Sequence, residues 1–284
     1  MEPIKMLALD LDGTLAVNGH EVLPATRAAL EALHASGVEV VIATGRRYRT
    51  TRFVIDNLGF DVYAVCNGGA LLKSPTMETL NETLFPREQM AWLVEIARRH
   101  GLSIFAQRDA HGRGGADFIV DDAVPWSPQV EKYFVDNREW SSRGDLARAE
   151  EEFLVVGMMG EEVHLRGFVD DVHADYDGLF GSVIVPHIDT DYFYGEITQA
   201  HVHKWYGLSA LCAHFGISKD NLCAAGDQLN DVPMLSEAAH SFAMGNGNPE
   251  VRRYAKQVCG AHDADGILEI IEYIEAHNAR ISAR

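Results

Sequence analysis

The stretch that most limits what this chain can fold into is Leu7-Ala8-Leu9-Asp10-Leu11-Asp12-Gly13-Thr14. A short apolar run that stops on two carboxylates and a glycine reads as a buried parallel strand followed by a sharp turn. Strands covered on both faces are apolar throughout, and glycine takes the backbone angles such a turn needs. Asp10 and Asp12 then stand at the carboxyl end of a strand, where open α/β sheets bind ligands. Two aspartates so spaced repel each other. A divalent metal, a shared proton or wide solvation has to offset their charge.

The chain then alternates helix and strand. A helix is expected from Leu23-Pro24 to Ala35, stopped by Ser36-Gly37, and residues 39 to 43 form the next buried strand. That strand runs into Thr44-Gly45-Arg46, a hydroxyl, a permissive glycine and a cation, which suits a phosphate group. A helix over 49 to 58, a strand over 63 to 66 and a turn at Asn67-Gly68-Gly69-Ala70 follow.

From about Leu84 the texture changes. The pattern predicts helices over 86 to 100 and 161 to 176, and strands over 102 to 106, 118 to 120 and 152 to 159. A polar turn is expected over 109 to 115, and paired strands over 182 to 186 and 192 to 197 around a turn at 187 to 190. After this α+β stretch the first pattern resumes, with a helix over 204 to 215 and a buried strand over 222 to 225. That strand leads into Gly226-Asp227-Gln228-Leu229-Asn230-Asp231, a further acidic cluster at a strand end. Residues 242 to 246 repeat the strand-then-glycine pattern, Pro249 is expected to open a helix, and 266 to 277 form the last one. The expected architecture is α/β: a Rossmann-like parallel-sheet core over 1 to 83 and 197 to 284, with helices on both faces, interrupted by a large α+β cap over 84 to 196.

Bulk composition narrows the partners. With 284 residues and 47% hydrophobic content the chain can bury a full core. A net charge of -18, without a basic run, argues against a nucleic-acid or anionic membrane partner. Cys66, Cys212, Cys223 and Cys259 are far apart and read as reduced core thiols. The apolar stretch near Met1 is too short for a signal peptide, and no segment approaches the ~20 apolar residues of a membrane span. A cytoplasmic chain is expected, as a monomer or a homodimer.

DLDGT at 10 to 14, ATGR at 43 to 46, Lys204 and GDQLND at 226 to 231 together resemble the four ordered motifs of haloacid dehalogenase-like phosphatases. The Asn67-Gly68-Gly69 turn, the long insertion before the lysine and Ala243-Met244-Gly245-Asn246 resemble the Cof-type branch, which implies a large α/β cap. The sequence departs from the family at Trp205, where a glycine usually follows the lysine, and at His201 and His203, where small residues are usual.

The residue chemistry agrees with the resemblance. A phosphate monoester is a dianion, so an anionic nucleophile must be shielded from it by metal and cations. Asp10 is the candidate nucleophile, able to form an aspartyl-phosphate and split one hard hydrolysis into two easier steps. Asp12 is the candidate general acid and then base, a role the resemblance also implies. Magnesium would be held by Asp10, the backbone carbonyl of Asp12 and Asp227, with Asp231 and Asn230 supporting that shell. Thr44, Gly45, Arg46, Lys204 and Asn230 are the candidate phosphate-binding residues, with Thr44 and Lys204 serving the chemistry as well. Asp227 and Asp231 have an alternative as helix N-caps, Lys204 as a solvated helix residue, and His201 and His203 as a polar loop. The expected function is magnesium-dependent hydrolysis of a small phosphate ester; a phosphomutase and an inactive phosphometabolite-binding regulator are the alternatives.

Overall fold

A computed structural model describes residues 2–187 and 191–283. The chain divides into two compact units, 1–81 with 203–284, and 82–202 between them.

The first unit opens with β1 (Met6–Leu9), α1 (Pro24–Ala35), β2 (Glu39–Ala43), α2 (Tyr48–Ile55) and β3 (Tyr63–Cys66). Two short strands, β4 (Leu71–Lys73) and β5 (Thr79–Glu82), follow. The inserted unit then runs through α3 (Arg87–Arg99), β6 (Ile104–Gln107), β7 (Phe118–Asp121), α4 (Pro128–Asp136) and β8 (Ser141–Gly144). It ends with β9 (Val155–Gly160), α5 (Glu162–Asp175), β10 (Phe180–Pro186) and β11 (Phe193–Gln199). The first unit resumes with α6 (Lys204–Phe215), β12 (Leu222–Gly226), α7 (Val232–Glu237), β13 (His240–Ala243), β14 (Gln257–Val258) and α8 (Gly266–Ser282).

Among the described residues the sheet of the first unit runs β14-β13-β12-β1-β2-β3-β4-β5. All pairs from β14 to β3 are parallel, and β4 turns back antiparallel on β3. β1 lies in the middle: the chain builds outward from it through β2 and β3, then returns to its other side with β12 and β13. That reversal leaves a crevice at the carboxyl ends of β1 and β12, the place where such sheets hold ligands. Met6, Ala8, Val41, Ala43 and Val65 pack with Leu208 and Leu211 of α6 and Met234 and Leu235 of α7. The alternate residues Leu7, Leu9, Val40 and Ile42 are also fully buried, as strand alternation requires of a sheet covered on both faces. α1 and α8 pack against each other, and α1 on β2.

The inserted unit has its own sheet, β10-β11-β9-β6-β7-β8. Leu93, Ala97, Phe168 and Val172 of α3 and α5 pack with Ile104, Ala106, Val156, Met158 and Ile197. A second cluster joins Val130 of α4 to Phe105, Phe118, Val120 and Met159. Asp121, fully buried, accepts two hydrogen bonds from Arg98 (3.0 and 2.7 Å) and one from the Leu146 amide (3.1 Å), which pins β7 to α3.

The structure corrects several local expectations. Pro249 opens no α-helix; only a single 3-10 turn, Val251–Arg253, follows it. α4 goes unread in the sequence although Ser127 and Pro128 mark its start, with the Ser127 hydroxyl accepting from the Val130 amide at 3.2 Å. The last helix runs five residues past His277 to Ser282. Residues 188–190 of the expected turn between β10 and β11 lie outside the described residues.

Candidate active site

The carboxyl ends of three parallel strands bring the first motifs together. Asp10 follows β1 and donates its amide to the Ala225 carbonyl of β12 at 3.0 Å, so the strand pairing continues to the functional residue. Thr44 follows β2 and Asp227 follows β12. All three side chains belong to buried residues. Gly13 has φ +76°, and a Cβ there would lie 2.5 Å from Asp227 Oδ2, so only glycine lets this loop approach the second acidic cluster so closely.

Lys204 is the first residue of α6 and is buried. Its Nζ donates to Asp10 Oδ1 at 2.5 Å and to Asp231 Oδ1 at 2.6 Å. The alternative of a solvated helix lysine therefore does not hold. The His203 imidazole caps the same helix, Nδ1 accepting from the Tyr206 amide at 3.1 Å. Trp205 does not disturb this helix start, because the close approach is made elsewhere. A Cβ on Gly69 would meet the His203 carbonyl at 2.1 Å, and one on Gly207 would meet Val65 at 2.5 Å. Trp205 itself is partly buried against the core.

Asp231 is fully buried and divides its oxygens between two tasks. Oδ2 accepts from the amides of Asp227 and Gln228, both at 2.9 Å, and Oδ1 accepts from Lys204. It makes no side-chain cap to α7, so the N-cap expectation is replaced by a brace on the loop before it. Asp227 accepts from the Thr14 hydroxyl at 3.3 Å and from Gln228 Nε2 at 3.3 Å. In the sequence the signal for Thr14 is its place in the DLDGT run.

The carboxylate of Asp12 lies apart from this cluster in its contacts. It pairs with Arg46, whose Nε donates at 2.7 Å and whose Nη2 donates to the second oxygen, while the same Nη2 reaches the Gly19 carbonyl at 2.6 Å. Arg46, expected on the phosphate, thus stands on Asp12. Both residues sit at strand-end turns 34 positions apart, and nothing in the linear spacing marks them as partners. Thr44 Oγ1 accepts from the Arg46 amide at 3.1 Å, and the buried Asn230 Oδ1 has no hydrogen-bond partner among the described residues.

Oxygens of Asp10, Asp227 and Asp231 lie within 4.8 Å of one another. With Lys204 as the cation between two of them, the cluster keeps an excess of negative charge in a buried place. Burial, reinforced by the neighbouring carboxylates and opposed by Lys204, holds Asp10 well above the ordinary carboxylate range. Burial and the charge of Asp231 push Asp227 up to about 6, with Lys204 opposing. Lys204 is itself held above its ordinary range: burial works against its charge, and Asp10 and Asp231 outweigh burial. Crowded hard oxygen donors of this kind fit a divalent cation such as magnesium.

The profile of the haloacid dehalogenase-like hydrolases matches residues 7–271. The chain belongs to that family. Its place among these hydrolases is the Cof-type branch, and it is a phosphoric monoester hydrolase by class. It is 24% identical over 278 residues to the Bacillus subtilis 5-amino-6-(5-phospho-D-ribitylamino)uracil phosphatase YitU, covering 94% of this chain and 96% of that one. It is 25% identical over 278 residues to the Escherichia coli pyridoxal phosphate phosphatase YbhA, covering 94% and 97%. In fold it is similar to the solved phosphatase BT1666 of Bacteroides thetaiotaomicron, with a TM-score of 0.79 at 23% identity over 96% of both chains. No helix among the described residues of this hydrolase is long and apolar enough to cross a membrane.

Proton competition follows from the raised carboxylates. The folded pKa of Asp227, about 6, exceeds the ordinary value, so the folded state binds more protons than the unfolded chain between the two values. Stability from this group accordingly falls as pH rises through that window, the reverse of an ion-paired aspartate. A bound divalent cation favours the ionised form and reverses the sign. Magnesium is expected to raise the melting temperature strongly at pH 7.5 and weakly at pH 5, with about 2.7 kcal/mol of stabilisation when present at 100 times its Kd. Calorimetry at the two pH values checks this; an equal shift at both would place the cation elsewhere.

Proposed function

We propose that this protein is a magnesium-dependent phosphatase of small phosphorylated metabolites, working through an aspartyl-phosphate on Asp10. The observation that carries the reading is the buried Asp10 carboxylate at the end of β1, held by Lys204 in one cluster with Asp227 and Asp231. Asp10, Asp227, Asp231 and the backbone carbonyl of Asp12 would hold the cation, which when bound supplies positive charge to the phosphoryl oxygens. Lys204 fixes the direction of the Asp10 carboxylate. An Asp10 oxygen attacks phosphorus as the bond to the leaving oxygen breaks, and Asp12 gives that oxygen a proton. Asp12 then takes a proton from water, whose oxygen attacks phosphorus and returns the Asp10 carboxylate with inorganic phosphate. Arg46 holds the Asp12 side chain in place through its Nε and Nη2, and must release it for Asp12 to reach the leaving oxygen. Thr44, Gly45 and Asn230 are read as contacts to the phosphoryl group.

Every one of these residues belongs to the first unit. Two relatives are named for small phosphate esters, a phosphoribityl-aminouracil and pyridoxal phosphate, which supports that substrate class. The test is turnover of an aryl phosphate and of a panel of phosphorylated metabolites, with magnesium and with chelator. Magnesium-dependent release of phosphate is expected; binding of the metabolites without release would overturn the reading in favour of a sensor.

A further inference from the structure

We propose that Asn246 is a positioning residue for the Asp10–Thr14 loop, acting through the carbonyl of Gly13. Asn246 lies in the loop after β13, and its side-chain amide is used at both ends. Nδ2 donates to the Gly13 carbonyl at 2.8 Å, and Oδ1 accepts from the His262 amide at 2.9 Å. The two neighbours fix which end is which: a carbonyl needs a donor and an N–H needs an acceptor, so the amide has one satisfactory orientation.

The loop that carries Asn246 is itself tied to the other half of the site. Met244 donates its amide to the Gly226 carbonyl at 3.0 Å, and Asn248 donates to the Asp227 carbonyl at 2.8 Å. Gly247 lies so close that a Cβ would stand 2.6 Å from the Asp227 carbonyl oxygen. One short segment therefore holds the backbone of Asp227 and, through Asn246, the backbone one residue beyond Asp12. Gly13 is where such a hold matters, because glycine at φ +76° has the widest backbone freedom in the loop and no side chain to anchor it. The contact spans 233 positions of sequence, so it registers the first motif against the last. Without it the Gly13–Thr14 peptide can rotate, and Asp12 and the Thr14 hydroxyl lose their fixed relation to Asp227.

The kinetic arm of the test rests on the phosphatase reading above; the structural arm does not. Asn246→Asp keeps an acceptor for the His262 amide and sets an oxygen against the Gly13 carbonyl, whereas Asn246→Ala removes both contacts. Both variants are expected to lower kcat about 10- to 100-fold with KM within about threefold, because Thr44, Gly45 and Asn230 keep their places. The loss should be greater for an alkyl phosphate than for an aryl phosphate, since misplacing Asp12 hurts poor leaving groups most. In the structural arm, the amides of Leu15 and Ala16, which donate to the Leu11 carbonyl, should exchange with deuterium at least about tenfold faster in both variants while β1 and β12 stay protected. Equal losses on both substrates with a general fall in protection would overturn the proposal in favour of a purely structural role. Unchanged exchange at Leu15 and Ala16 would overturn it outright. Failure of the unmodified enzyme to hydrolyse any ester would sink the phosphatase reading, and the exchange result would still decide the role of Asn246.

Discussion

Asp10→Asn is expected to lower kcat by at least about 10³-fold while leaving the metal-free protein at least as resistant to heat at pH 7. The two halves of this expectation have separate causes. Activity is lost because an amide oxygen neither attacks phosphorus usefully nor returns as a good leaving group. Stability is kept because burial already holds the Asp10 carboxyl well above its ordinary range, so the folded site favours a neutral group at that position. Asparagine supplies that neutral group in the same shape, and Lys204 retains Asp231 as a partner at 2.6 Å. Melting curves and single-substrate kinetics on the one variant check both. Retention of more than about a tenth of the activity would remove Asp10 from the nucleophile's role, given what loss of a covalent nucleophile does elsewhere.

Lys204→Met should destabilise the first unit strongly. The lysine is about as buried as the core residues around it, and methionine fills similar volume without charge. Removing the cation leaves Asp10 and Asp231 facing each other and Asp227 with no positive partner, and breaking a buried pair from one side destabilises by on the order of 3–5 kcal/mol. Turnover should fall by at least about 10²-fold as well, since Asp10 loses the group that orients it. Because the defect is excess negative charge, magnesium should restore part of the lost stability and little of the activity. Thermal melts with and without the cation read this out; a melting temperature unchanged by the substitution would mean that the carboxylates are protonated and Lys204 is not what holds them.

How much of this was legible in the sequence depended on whether the cause was local. Strand ends were, because an apolar run stopping at Asp10, Thr44 or Asp227 is a local pattern, and β2, β3 and α6 fall at the expected residues. The ordering of the motifs carried the family. What was not legible arises from contacts distant in sequence. Arg46 finds Asp12 only because β1 and β2 are neighbours in register, and no spacing rule announces that pair. The oddity at Trp205 looked like a defect in the lysine's surroundings, yet the close packing needed there is supplied by Gly69 and Gly207. Asp231 looked like a helix cap because Val232-Pro233 follows it, but the strongest donors in reach were Lys204 and two loop amides. In α4 the helix signal was present and weak: a Ser-Pro start and only nine residues.

The central claim is that phosphorus is attacked twice, first by Asp10 and then by water. The stereochemical course at phosphorus tests it most directly, using a substrate ester made chiral with oxygen isotopes and sulfur and turned over in isotopically labelled water. Each in-line displacement inverts the centre, so two in succession give net retention of configuration. Retention is the predicted result. Net inversion would mean that water attacks the ester in one step, and Asp10 would then be a ligand or a base but not the nucleophile.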